Sequence, residues 1–347
     1  SYIGYQTVEL KANGKGLDKI MMEEDNELLD EVVVVGYGVQ KKRDVTTAIA
    51  SIRASDLKGQ PVTSMAEAMV GKMPGVQVSQ STGAPGSSLQ IKVRGTGTIT
   101  AGTSPLYVVD GVPLAKEQLN TFNMNDVESI EVLKDASSSA IYGSRGSNGV
   151  VLITTKKGKT GKVNVDVNAY MGIQSVPQKG RPEMMNGEEW AQFKKESYED
   201  LGVAVPEVYQ NPAQYGKGTD WYDAMLRNAV IQDYNVAIRG GSERFSTSLV
   251  LGYFNQDGIV LNSDYNRFSI RSNSEFNINK KVKLTFSVAP TYSFENRPST
   301  DGAFFSGSGL LANAAITSPI LKYQDENGNY PISVTTPGIT SVDTPNW

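Results

Sequence analysis

The sequence predicts an α+β domain followed by a transmembrane antiparallel β-barrel. Three observations carry this. Residues 126–158, DVESIEVLKDASSSAIYGSRGSNGVVLITTKKG, read as strand, short helix and buried strand. After Gly158 long stretches alternate apolar and polar residues with period two, the mark of strands with unlike faces. Aromatic residues shift with them, 20 of the 26 Tyr and Phe lying beyond position 160.

Composition narrows the chemistry. The 347 residues carry a net charge of −4, and the pI of about 5.2 implies no polyanion-binding surface, hence no nucleic acid. There is no Cys, which excludes disulfides, thiolate metal sites and thiol nucleophiles. There is no His, which removes Ser-His-Asp catalysis and His-ligated zinc. No apolar run approaches the roughly 18 residues of a spanning helix.

Residues 1–24 read as the tail of a small β domain, with strands at Tyr2–Leu10 and Leu17–Met22. Two strands alone hold no core, so their partners are expected upstream of Ser1. Both ends of the chain read as fragment ends. Residues 25–43 form an acidic linker and a segment with four consecutive valines, Val32–Val35, which favour a strand. One reading makes them an interior strand of the next domain. The other makes them an exposed segment that joins the edge of a partner's sheet, main-chain hydrogen bonds supplying affinity. Flanking charges at Asp30, Glu31, Lys41, Lys42 and Arg43 keep such a segment soluble.

Residues 44–158 read as one α+β domain. Val45–Ile52 is a strand. Ser55-Asp56-Leu57-Lys58 has the spacing of a Ser-x-x-Lys nucleophile pair without its companion motifs, and Ser55 is expected at a helix start. Ser64-Met65-Ala66-Glu67 is a capping box and Gly71 the stop of that helix. Val76–Val78, Leu89–Arg94 and Leu106–Val109 are strands, and Asp110-Gly111 is a turn signal. Arg94–Thr100 lacks the third glycine of a nucleotide loop and is expected to be a plain loop. In the stretch 126–158, Val127, Ser129, Glu131 and Leu133 alternate with Glu128, Ile130 and Val132. Asp135 is expected as an N-cap whose carboxylate accepts backbone N–H bonds, Gly143 as a left-handed C-cap, and Glu128, Glu131 and Arg145 as charges close to the core. Charges so placed need partners or a polar cavity, so Arg94, Asp110, Glu128, Glu131, Lys134 and Arg145 suggest a domain enclosed by polar walls.

Beyond residue 159 five long strands are legible: Val163–Gln174, Ile231–Gly240, Phe245–Asn255, Arg267–Asn279 and Val282–Tyr292, with a sixth expected after Leu310. Segments of about 10–13 residues suit tilted strands crossing a bilayer. Short connections at 240–243 and 279–281 alternate with longer ones at 175–230 and 260–264, and Gly187–Leu201 within the first of these reads as a helix. That asymmetry marks outer-membrane barrels; a soluble β-sandwich fits the alternation but not the strand length or aromatic load. Only wide barrels, near 22 strands, enclose a domain of this size, so the wall is expected to continue past Trp347.

With these stretches in view, the chain resembles the SusC/RagA-like TonB-dependent outer-membrane transporters of Bacteroidota. The resemblance rests on LLDEVVVVGYG (28–38), MVGKMPGVQV (69–78), IKVRGTGTI (91–99), PLYVVDGVP (105–113) and the stretch 126–158, in that order. It implies a carboxypeptidase-regulatory-like tail at 1–24 and a plug at 44–158 inside a barrel whose first five or six strands occupy 159–347. It implies TonB binding at Leu29, Asp30, Glu31 and Val32–Val35, with ExbB–ExbD as the energy source. Arg94, Asp110, Glu128, Glu131 and Arg145 would make polar contacts between plug and barrel. The loops bearing Thr82, Gly83, Thr98, Thr100, Thr103 and Asn120 would face cargo. The implied partners are a SusD-like lipoprotein lid, an oligosaccharide or peptide cargo and outer-membrane lipid, with pairing of two transporter–lid units and no cofactor or metal. The implied activity is nutrient import rather than enzymatic turnover. The alternatives are a signalling receptor, a siderophore-type receptor, or a surface hydrolase using the carboxylate pairs Glu188/Glu189 or Glu128/Glu131.

Overall fold

The structure is a computed structural model that describes residues 32–35, 38–41, 49–57, 65–80, 82–87, 90–96, 102–114, 122–158, 160–279, 281–298 and 309–324, with positions 328, 333–334 and 342–343. The expectations for residues 1–31, Lys58, Ser64, Thr98, Thr100 and Asn120 lie outside the described residues. The chain divides into two compact units, one ending at Lys156 and one starting at Lys157, with Ser81–Ser87 grouped in the second.

The first unit opens with a two-stranded antiparallel pair, β1 (Val32–Val35) and β2 (Gly38–Lys41). β3 (Ile49–Arg53) leads into a short helix α1 (Ala54–Leu57). Ser55 falls inside α1, and the cap bond comes from Asp56, whose carboxylate accepts the Arg53 N–H at 3.0 Å. α2 (Met65–Met69) stops where Gly71 turns to φ +68°, a value that suits glycine. β4 (Val76–Ser79) and β5 (Gln90–Val93) form a separate antiparallel pair. β6 (Leu106–Val109) turns at Asp110-Gly111 into β7 (Val112–Leu114). Both turn residues have positive φ, 47° and 88°, as a two-residue hairpin of the I′ class requires.

β8 (Val127–Leu133), α3 (Ala136–Ser139) and β9 (Val150–Thr155) complete a mixed sheet of order β3-β8-β9-β6-β7, in which only β6 and β9 are parallel. Both faces are covered. Ile130, Val132, Tyr107, Val109, Val151 and Ile153 share one core with Met65, Ala68 and Met69 of α2. Leu106, Val108, Leu133, Val150 and Leu152 form a smaller one.

Four expectations for this stretch are corrected. The β8 register slips opposite β9 between Val127 and Ser129, so Glu128 is the extra residue of a bulge. The bulge turns Glu128 out to solvent and moves Val127 onto the face of Ile130 and Val132, while Glu131 stays buried. Asp135 holds the N-cap position of α3 without a side-chain cap bond, because its carboxylate is taken by Arg94. Gly143 has φ 60° and ψ −147°, which is not the left-handed helical region, and it kinks the 3₁₀ stretch Ala140–Gly146 instead of ending it. Arg145, in that stretch, is exposed and not near the core.

The second unit is a meander. β10 (Gly161–Gln174) is followed by a long excursion holding α4 (Gly187–Asp200), α5 (Glu207–Gln210) and α6 (Trp221–Met225). β11 (Ala229–Gly241), β12 (Phe245–Asp257) and β13 (Asp264–Asn279) follow, each antiparallel to the one before. These strands have 13 to 16 residues, longer than the alternation predicts.

The expected strand Val282–Tyr292 is two, β14 (Val282–Val288) and β15 (Thr291–Asn296), both paired with β13. The ladder breaks at Ala289-Pro290 because proline has no N–H to give, although the Pro290 carbonyl still accepts from Ile270 N at 3.0 Å. The sixth strand expected after Leu310 is instead a helix, α7 (Leu310–Ile316). Its sequence, LLANAAI, is rich in Leu and Ala, which favour a helix over a strand. Leu310 and Ala314, one turn apart, pack with Trp221, Met225, Val260 and Leu321.

One face of the wall is apolar and exposed, including Val165, Val167, Ile238, Leu251, Ile270 and Phe286. The other carries Asn235, Ser248, Arg267, Ser269 and Asn273. Paired positions align exposed and half-buried aromatics in rows. Tyr234, Tyr253, Phe268 and Tyr292 succeed one another across four strands, and Phe245 and Phe276 form a second row whose ring centroids lie 4.8 Å apart. Phe268 and Phe276 are eight residues apart, about 27 Å of strand at ~3.4 Å per residue. A tilt of about 35–45° makes that about 19–22 Å of height, slightly less than the ~25 Å apolar band that aromatic girdles flank in outer-membrane barrels.

Leu249 lies on β12 midway between the two rows. Leu249→Arg is expected to destabilise the protein folded in lipid vesicles by about 2–4 kcal/mol, and Asn255→Arg, beyond the Tyr253 row, by under about 1 kcal/mol. Urea titration in vesicles measures both; equal and small effects would point to a water-facing sheet.

Candidate functional site

The candidate functional elements are a hairpin, a set of polar ties, two loops and a cleft. The first is the chain-entry hairpin. Val32 pairs with Lys41, Val33 with Gln40, Val34 with Val39 and Val35 with Gly38, leaving two residues to join the strands. These valines therefore lie in a sheet of their own and are not interior to the five-stranded sheet that follows.

The polar residues singled out by sequence divide into ties and exposed charges. Arg94 follows β5 with φ 57°, and Gly95 follows with φ 87°. Its N–H donates to Gly75 O at 2.9 Å, and its guanidinium pairs with Asp135 just past β8. Lys134 reaches back to Pro74 O at 2.8 Å. Together they bind the β4–β5 pair to the end of β8. The ion pair is partly exposed, so it is worth at most about 1 kcal/mol.

Asp110 makes a different tie. Its carboxylate accepts the Thr155 N–H at 3.0 Å and the Thr155 hydroxyl at 2.5 Å. It thereby fixes the last residue of β9. The next residue, Lys156, is held by bonds to Asn125 O at 3.0 Å and Asp126 O at 2.8 Å. Tyr107, in the core beside these ties, has its phenol pushed far up by burial.

Of the residues expected to face cargo, Thr103 is half-buried in a loop pinned by Asn148, whose amide donates to Gly102 O at 2.6 Å. Asn148 was not singled out by sequence; its place in the SRGSNG loop is the signal. Gly83 is exposed, and Thr82 is half-buried with its hydroxyl accepting Ala84 N at 3.3 Å. In the same loop Pro85 is buried, and Gly86 lies so close to the Tyr265 ring that an added Cβ would stand 2.4 Å from it.

The long excursion after β10 carries a cleft of about 820 Å³, lined among others by Arg181, Met184, Met185, Trp190, Asp220 and Ile316. Arg181 pairs with Asp223 at 2.9 Å. The helix expected at Gly187–Leu201 is α4, and its capping box, Asn186 with Glu189, was legible as N-x-x-E. Glu189 is thus spent on a cap bond, which weakens its case as half of a hydrolytic carboxylate pair. Under α4, Tyr209 is fully buried between Trp190 and Tyr198. Burial, then the neighbouring Tyr198 and Tyr215, pushes its phenol up to about 12.

Comparison with known proteins fits this geometry. Residues 41–150 match the TonB-dependent Receptor Plug Domain family. A TonB-dependent receptor of Formosa agariphila is 40% identical over 336 residues, 95% of this chain and 32% of the relative. The TonB-dependent receptor SusC of Bacteroides thetaiotaomicron is 36% identical over 81% of the chain and 28% of SusC. The RagAB peptide importer in its closed-closed state superposes with a TM-score of 0.75 at 28% identity, covering 87% of this chain and 36% of that one. This chain is SusC-like, carrying the plug and first barrel strands of a TonB-dependent receptor. It spans about a third of the length of the curated relatives it matches. In this SusC-like chain the mixed sheet belongs to the plug and the meander to the barrel wall.

The Tyr209 hydroxyl is buried with no hydrogen-bond partner among the described residues. Its folded pKa exceeds the unfolded value near 10, so its contribution is complete below pH 10 and is lost as pH rises toward about 12. Tyr209→Phe is expected to leave the excursion as stable at neutral pH and to remove that alkaline loss, as read by limited proteolysis from pH 9 to 12.

Proposed function

We propose that this chain is the force-receiving and cargo-facing part of an importer that carries a glycan or peptide across the outer membrane. TonB supplies the energy through ExbB–ExbD, and a SusD-like lipoprotein forms the lid. Residues 44–158 act as the plug and 159–347 as the start of the wall, in the outer membrane of a Bacteroidota-like cell, with transporter–lid pairs able to dimerise. Supporting the cargo class are the RagAB neighbours, named as a peptide importer, and the likeness to SusC.

The observation that carries the reading is the order of elements: a self-contained valine hairpin precedes β3, the edge strand of the plug sheet. TonB binds at Leu29–Val35 and pulls on the start of β3. β3 and β9 both run antiparallel to β8, with Ile49 level with Leu133 and Thr155 at the opposite end. Traction on Ile49 against the chain leaving Thr155 therefore loads the β3–β8 rungs together, in shear. The sheet moves as a body before it unravels, and weak polar contacts yield first. The exposed Glu128 and Arg145 serve as such contacts; Arg94 and Asp110, assigned to the same role, are also bonded within the plug to Asp135 and Thr155, and Glu131 is buried. The upper loops bearing Thr82, Gly83, Thr98, Thr100, Thr103 and Asn120 meet the cargo.

Deleting Val32–Val35 is expected to abolish uptake while leaving cargo binding by purified receptor intact; persisting uptake would remove the energy-coupling assignment. Replacing both Arg94 and Arg145 by Ala is expected to change the uptake rate at normal expression. An unchanged rate would show that these charges take no part in the plug's release.

A further inference from the structure

We infer that the cleft in the long excursion after β10 is a ligand site that holds the C-terminal end of a peptide. The terminal carboxylate sits on the Arg181 guanidinium, and the last, apolar side chain lies against Met184, Met185 and Ile316. The inference rests on the import reading proposed above for its class of cargo, and adds to it a place where that cargo is gripped.

The guanidinium carries the argument. Its Nη1 donates to Asp223 Oδ1 at 2.9 Å, in an ion pair whose arginine is mostly buried and whose aspartate is mostly exposed. That bond holds the group in place and uses only one of its ends. Nε, on the adjoining edge, is shut off from water and has no acceptor among the described residues. Buried donors are rarely left without a partner in native proteins, so this one calls for an occupant of the cleft that Arg181 lines. A carboxylate laid along the Nε–Nη2 edge accepts two parallel N–H bonds, the pairing for which the planar guanidinium fork is suited.

The rest of the lining selects among carboxylates. At about 820 Å³ the cleft is of the size that takes small ligands. Met184, Met185 and Ile316 are exposed in it, and methionine adapts to apolar groups of varied shape. Lys217 and Glu183 also line it, and neither forms a side-chain hydrogen bond or ion pair among the described residues. Asp220, the other carboxylate of the lining, is occupied in capping α6, where it accepts the Asp223 N–H at 3.0 Å. A peptide end uses all of these: its carboxylate meets Arg181 and Lys217, its main-chain N–H groups donate to Glu183, and its last side chain covers the methionines. A fatty acid brings no N–H for Glu183. A sugar acid brings no comparable apolar group and finds no free ring face. Lys194 sits over the Trp190 ring, 5.2 Å from its centroid, while Trp221 is buried and Tyr222 packs against the same core.

The test uses the purified full-length receptor and an N-acetylated peptide of three alanines and a terminal leucine, offered as the free acid and as the C-terminal amide. The acid is expected to bind, and the amide to bind roughly ten- to a hundredfold more weakly, the loss of a hydrogen-bonded charge. A photoreactive diazirine in the leucine side chain is expected to cross-link to residues 181–190 or 314–319. Arg181→Lys keeps the charge that faces Asp223 but not the fork, and is expected to weaken the acid about tenfold and leave the amide unchanged. Acid and amide binding alike, no binding of the acid, or cross-links that all fall outside the cleft would overturn the inference without recourse to any variant. So would tighter binding of a galacturonate dimer than of the peptide acid. Uptake by energised cells separates the two readings. Peptide bound in this way but never taken up would leave the site and remove the import reading, whereas uptake of peptide acid and amide with equal affinity would keep import and remove the site.

Discussion

Every backbone N–H and C=O that enters hydrocarbon must find a partner inside the protein. That constraint shapes the second unit. It demands an unbroken ladder: the strands from Gly161 to Asn279 pair each with the next in sequence, and β14 and β15 both continue the ladder on β13. The ladder in turn forces the period of two, since one face meets lipid and the other does not. It also explains why the proline at 290 interrupts the last described strand while its carbonyl remains bonded. The helices fall in the connections, where water can satisfy the backbone: α4 to α6 between β10 and β11, and α7 after β15.

The first unit answers the opposite demand. It has a core of its own, with apolar side chains on both faces of a five-stranded sheet. Its polar bonds sit at the margins: Asp110 on Thr155, Lys156 on Asn125, Lys134 on Pro74, Arg94 on Asp135. A stiff centre with weaker ties suits the proposed movement of the plug as one body. Hydrogen bonds to charged groups are each worth about 1.5–3 kcal/mol and a partly exposed ion pair at most about 1 kcal/mol, far less than the burial of the sheet. The hairpin β1–β2 forms its own two-stranded sheet.

Much of this was legible in the sequence because it depends on local rules. The wall strands followed from alternation, the Asp110-Gly111 turn from its dipeptide, and the resemblance from five ordered stretches. What escaped depended on distant partners or on backbone counting. No local rule reveals that Arg94, forty-one residues away, claims the Asp135 carboxylate. The bulge at Glu128 looks like ordinary alternation until the opposing strand is known, and it decides which of two glutamates is buried. α7 was open to a better reading, since Leu and Ala favour helix over strand. The break at Pro290 was open too, from proline chemistry alone. The side chains assigned to the plug's outer contacts and to cargo follow from the resemblance and were beyond any local rule.

The central claim is that the strands from β10 onward form a membrane wall with one face in lipid. Single cysteines placed in turn at residues 248–251 of β12, each carrying a nitroxide label in the receptor reconstituted into vesicles, test it most directly. The account predicts that labels at 249 and 251 collide freely with oxygen dissolved in lipid and hardly at all with a water-soluble nickel chelate, while labels at 248 and 250 lose the oxygen signal. Equal access of the nickel chelate to 249 and 251 would place both faces in water and contradict the account.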